Sequence, residues 1–174
     1  MDTFAEHIIV KYPSPADSFK KGMIVAGTIL ISLLMGIFLL PTRIGSLAVF
    51  VNAGVINGGY YLLTNMNIEY EYSVTNGEFD VDKIISQRKR KKMITFEVKN
   101  IESFGKLADA RPASDSSVTV LAADGLGEND YYADFRHEAM GDVRLVFTPN
   151  RRILEAMKPF MPRIIKFEID SEME

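Results

Sequence analysis

The chain has no cysteine, no tryptophan and only 2 histidines. Without cysteine there is no disulfide framework, no thiolate metal site and no redox clue to compartment. A histidine-based metal centre would have to draw on His7 and His137, from opposite ends of the sequence. The phosphate-cradling pattern G-x-x-x-x-G-K-[ST], a G-x-G-x-x-G after a strand and the G-x-S-x-G elbow are also missing. The most telling absence is local. Neither Gly22 to Leu40 nor Ile44 to Thr64 contains Asp, Glu, Lys, Arg or His. Each run is about the ~20 residues a helix needs to cross a bilayer at ~1.5 Å per residue.

Only Pro41-Thr42-Arg43 separates the runs, so they read as a transmembrane helical hairpin. A cleaved signal peptide fits poorly. The preceding segment is long and carries Asp2, Glu6 and Asp17, and no small-residue cleavage site follows the first run. The net charge of −3 averages two materials, because all the charges but Arg43 fall outside residues 22–64. The length of 174 residues holds one hairpin and one small domain. The division expected is an N-terminal cytoplasmic arm over 1–21, the hairpin over 22–64 and a soluble domain over 67–170. Lys11, Lys20 and Lys21 precede the first span and Lys83 and Arg88 to Lys92 follow the second, against Arg43 alone in the link. By the positive-inside rule both termini are cytoplasmic.

In the arm, Phe4, Ile8, Ile9 and Tyr12 recur at helical spacing until Pro13 and Pro15. This suggests a brief amphipathic helix on the membrane or an ordinary tail. The second span is the more polar, with Asn52 and Asn57. Its Gly54 and Gly58 form a G-x-x-x-G pair that allows close helix approach, with Asn57 on the same side. The preferred reading packs them against the chain's own first span, which offers Gly27 and Gly36. A homodimer seam or another membrane protein is the alternative.

From Ile68 the apolar period changes to two. Strands are expected around 68–74, 79–85, 94–98, 118–120, 131–135 and 143–147, with Asn76-Gly77 as a type I′ hairpin turn. Ile101 and Phe104 suggest one helical turn over 100–106. Residues 111–116 and 125–129 read as a loop and a turn. A helix follows, with Thr148 as N-cap and Pro149 at its first position. Arg163 to Ile169 reads as extended. A seventh strand would lie at 106–110 or in that tail.

The segment Glu69-Tyr70-Glu71-Tyr72-Ser73-Val74-Thr75-Asn76-Gly77-Glu78-Phe79-Asp80-Val81-Asp82-Lys83-Ile84, the opening Met1-Asp2-Thr3-Phe4-Ala5-Glu6, the basic run and the Thr148-Pro149 helix resemble small bacterial membrane proteins with two spans and a PH-like domain. The resemblance implies an α+β fold: a transmembrane helical hairpin, then an antiparallel PH-like β-barrel or sandwich with a C-terminal helix. It says little about activity.

Arg88-Lys89-Arg90-Lys91-Lys92 is the sharpest chemical feature. If the first strand leads away from the membrane and the second returns, these cations form a loop at the membrane end, facing anionic headgroups. They then serve as a topology and orientation device or as a headgroup-recognition site. Nucleic acid is disfavoured by the acidic net charge and the lack of interleaved aromatics. Asp80 and Asp82 on one strand face, the acidic turn 124–130 and the lone His137 give no convincing metal or catalytic set. The expectation is a non-enzymatic, cofactor-free interaction or scaffold module on the cytoplasmic face of the bacterial inner membrane. An accessory subunit of a larger membrane complex, such as a transporter, and an anionic-lipid sensor are the alternatives.

Overall fold

In the computed structural model, residues 3–113, 117–163 and 165 are described. The chain divides into two units, residues 13–68 and the remainder.

The first unit is a pair of helices, α1 (Pro15–Leu39, 25 residues) and α2 (Gly45–Thr64, 20 residues). Pro15 starts α1 rather than merely ending the segment before it. Its missing N–H costs nothing in a first turn, and Ser14 and Asp17 cap that turn reciprocally. Between the helices, the Thr42 hydroxyl donates to the Leu39 carbonyl at 2.6 Å. Both helices are long and apolar enough to cross a membrane. The face of α2 toward α1 is drawn from Gly45, Ala48 and Gly59, which are buried, with Asn52 and Val55 between them at the alternating three- and four-residue spacing of a helical seam.

The second unit contains two four-stranded sheets packed as a sandwich, not closed into a barrel. Sheet A is ordered β1 (Phe4–Val10), β2 (Ile68–Thr75), β3 (Glu78–Ile85), β4 (Lys89–Glu97). Sheet B is ordered β5 (Ile101–Lys106), β7 (Tyr131–His137), β8 (Gly141–Phe147), β6 (Val118–Ala122). Asn76 and Gly77 adopt φ of 49° and 91°, the two positive values a two-residue hairpin needs.

Four local expectations change. The helical spacing in the arm belongs to β1, which pairs antiparallel with β2 from Phe4↔Thr75 to Val10↔Glu69. Ala5, His7 and Ile9 face inward while Phe4, Ile8 and Val10 point out, so both faces are apolar and alternation is hidden. The supposed turn over 100–106 is β5. A register shift between Ile101 and Ser103 lets Ile101 and Phe104 both turn inward despite their i, i+3 spacing. β6 pairs parallel with β8, where antiparallel pairing was expected. The last helix, α3 (Arg151–Met157), is capped by Asn150, whose side chain accepts from the Ile153 amide at 2.9 Å. Thr148 is spent elsewhere, as described below. Most of the expected extended segment 163–169 lies outside the described residues.

The core is aromatic. Tyr72, Phe79, Phe135 and Phe147 are fully buried. Phe96 of sheet A stacks on Phe135 of sheet B with centroids 3.9 Å apart, and Phe79 meets Phe147 edge-on at 5.4 Å. The Tyr72 hydroxyl crosses between the sheets. It donates to the Ala122 carbonyl and accepts from the Thr148 amide at 3.2 Å. Burial raises its pKa and keeps the phenol neutral and donating.

Candidate functional site

The basic run is not a loop. β4 begins at Lys89, so only Arg88 remains in the connection. The turn is formed by Ser86 and Gln87, at φ 56° and 54°, closed by the Arg88 amide donating to the Ile85 carbonyl at 3.2 Å. Two non-glycine residues in the left-handed region mark a strained tip. The Gln87 amide donates to Glu69 Oε1 at 2.9 Å. That bond ties the tip to the start of β2, at the end of sheet A where β1 leaves toward α1.

The register across β3–β4 runs Asp82↔Lys92, Lys83↔Lys91, Ile84↔Arg90 and Ile85↔Lys89. Directly opposite residues share a face, so the cations are dealt alternately to two sides. On one side Arg90 meets Glu71 at 2.5 Å and Asp82 at 4.0 Å. On the same side Lys92 meets Asp80 at 2.7 Å, and Thr95 also donates to that carboxylate. Asp80 and Asp82 therefore act as ion-pair partners within the sheet, not as a cation site. On the other side stand Lys83, Lys89 and Lys91.

The paired carboxylates carry opposite pH signatures. Burial, opposed by Arg90 and reinforced by Glu6 and Asp82, raises the Glu71 pKa. Its ionisation therefore costs the fold stability as pH rises through the elevated value. Burial also opposes ionisation of Asp80, but hydrogen bonds from Lys92 and Thr95 outweigh it and lower the pKa. Its contribution is present above the unfolded value and is lost as pH falls through the folded one. Glu71→Gln should accordingly flatten the decline in stability above about pH 4.5, while Asp80→Asn should remove a loss below about pH 4. Melting temperatures across that range check both. An unchanged profile in Glu71→Gln would refute the assignment.

Two other polar clusters went unread in the sequence. Arg144 forks onto Asp134 with two 2.7 Å bonds, donates to the Arg111 carbonyl at 2.6 Å and lies 5.0 Å from the Tyr132 ring centre. No sequence motif announces it, because β7–β8 register makes the pair. The second is an open cleft of about 500 Å³ bordered by His7, Asp124, Asn129, Thr148 and Arg151. Burial lowers the His7 pKa. His137 borders a different depression, with Arg136 and Glu138, so the two histidines do not converge. No group of three metal-ligating side chains occurs among the described residues.

In the helical pair, the G-x-x-x-G residues are not those packed against α1. A Cβ on Gly59 would fall inside van der Waals distance of the Thr28 hydroxyl, whereas Cβ atoms on Gly54 and Gly58 would meet open space. The glycine of α2 that α1 approaches is Gly59. Asn57 is exposed and donates to the Ala53 carbonyl at 2.8 Å. Asn52 has its oxygen enclosed, so the two amides do not line a shared path.

No curated protein and no solved structure matches the chain. A family model described as a bacterial PH-like domain (DUF6106) matches residues 1–167. The chain belongs to this family of bacterial PH-like domains, a fold whose members generally serve as binding modules rather than catalysts.

Proposed function

We propose that this PH-like chain is a non-enzymatic interaction module anchored by α1 and α2 in the bacterial inner membrane, with its sandwich on the cytoplasmic side. One observation carries the reading. β1 precedes the helices and β2 follows them, yet the two strands pair along all of β1. The segments flanking the helices must then share a compartment, which fits two crossings and not one. The excess of Lys11, Lys20, Lys21 and Arg88 to Lys92 over Arg43 supports the cytoplasmic side.

The cysteine-free sequence makes the test clean. Single cysteines at Thr42 and Glu138 are exposed to a membrane-impermeant maleimide in right-side-out vesicles. Thr42→Cys should label directly and Glu138→Cys only after permeabilisation. Direct labelling of Glu138→Cys would reverse the orientation, and release of the chain by alkaline carbonate would end the anchoring reading.

The open Gly54 and Gly58 favour a second reading, in which Gly54, Asn57 and Gly58 receive a helix of another membrane protein or a second copy. Mass measurement of the chain purified in mild detergent decides it. A lone monomer would count against this seam.

A further inference from the structure

We propose that Lys83, Lys89 and Lys91, with Arg88 at the tip, form a cationic face that docks on the anionic surface of the bilayer, while Arg90 and Lys92, though exposed, are spent as counter-ions of Glu71, Asp82 and Asp80 and take no part. The inference rests on the membrane-anchored reading and divides its basic run by strand alternation.

Lys83 and Lys91 are directly opposite across β3–β4, and Lys89 follows on the same face. Like charges directly opposite destabilise a hairpin. Among the described residues none of these three lysines has an ion pair, whereas Arg90 and Lys92 are matched by Glu71, Asp82 and Asp80. Lys89 and Lys91 are exposed and Lys83 is half-buried. Their end of sheet A is also the end from which the chain departs. Val10 pairs with Glu69 there, and only residues 11–14 and 65–67 lie between the strands and the helices. Both links to the helices leave the sheet from this end. A row of lysines spread along one face of a hairpin matches a charged surface rather than one selected headgroup. Each cation near such a surface adds to the attraction, which decays within a Debye length.

The test uses the full chain in lipid nanodiscs, with a fluorophore on Ser86→Cys and a spin-labelled headgroup lipid as quencher. Quenching should rise when phosphatidylglycerol is added to phosphatidylcholine and fall again at molar salt. In the K83Q/K89Q/K91Q variant the ratio of docked to undocked states should drop on the order of 100-fold. In R90Q/K92Q it should be retained. Quenching indifferent to lipid charge, an unaffected triple variant, or equal loss in both variants overturns the proposal. Unchanged circular dichroism of the triple variant separates docking from folding. Protection of the lysines from acetylation in native membranes, with none in phosphatidylglycerol discs, would assign the face to an acidic protein and also overturn it. Failure of the anchoring reading shows separately, as loss of the chain from the discs.

Discussion

Gly59→Leu is expected to unpack α1 from α2, while Gly54→Leu and Gly58→Leu leave the pair intact. A Cβ at Gly59 already collides with Thr28, and the Thr28 hydroxyl is committed to the Ile24 carbonyl at 2.8 Å. The side chain therefore cannot swing aside without breaking that bond. Overpacking of this kind costs about 1–3 kcal/mol, a large share of what holds a single helix pair together. At Gly54 and Gly58 the added atoms meet nothing in the chain itself. Unfolding by graded additions of sodium dodecyl sulfate, followed by circular dichroism, ranks the three variants. Equal destabilisation by Gly54→Leu would mean that the seam is misassigned.

The second large effect is expected at Thr148. Its hydroxyl donates to Asp130 Oδ1 at 2.6 Å and accepts from the Asp124 amide at 3.0 Å, and Asp130 and Thr148 are both buried. Valine preserves the volume and the backbone bond to Tyr72 but removes both hydroxyl bonds. Stranding a buried carboxylate and an amide costs about 1–3 kcal/mol each. Thr148→Val should therefore lower sandwich stability by about 2–6 kcal/mol, or roughly 10–30 °C in Tm. Tyr72→Phe, which strands the Ala122 carbonyl and the Thr148 amide, should cost a comparable amount. If Thr148→Val melts with the parent chain, the hydroxyl network is not part of what holds the loop 123–130 to the sheets.

These two positions show what the sequence concealed. Strands β2, β3, β7 and β8 were legible because apolar and polar residues alternate along much of each. Asn76-Gly77 was legible because few dipeptides accept two positive φ values. β1 was hidden by apolar residues on both faces, and β5 by a bulge that imitates helical spacing. The basic half of β4 has no apolar alternation of its own and is extended only because β3 lies beside it. Thr148 reads as a helix cap by local chemistry, but its partners Asp130 and Asp124 come from a distant loop. The parallel pairing of β6 with β8, the Arg144–Asp134 fork and the choice of Gly59 over Gly54 are likewise decisions between remote segments. The basic run was visible as charge. Its division into matched and unmatched cations needed a register that no single segment encodes.

Sheet A also has a consequence for how the protein is made. A ribosome delivers β1 first, then both helices, and only then the strand that β1 requires. Through that interval β1 waits as an unpaired edge, unable to fold by itself. On the membrane-anchored reading, a chain in which one helix failed to insert would hold the two strands on opposite sides of the membrane, and the sheet would not close. On the membrane-anchored reading, completion of sheet A would report that both helices had crossed, because only then do β1 and β2 meet.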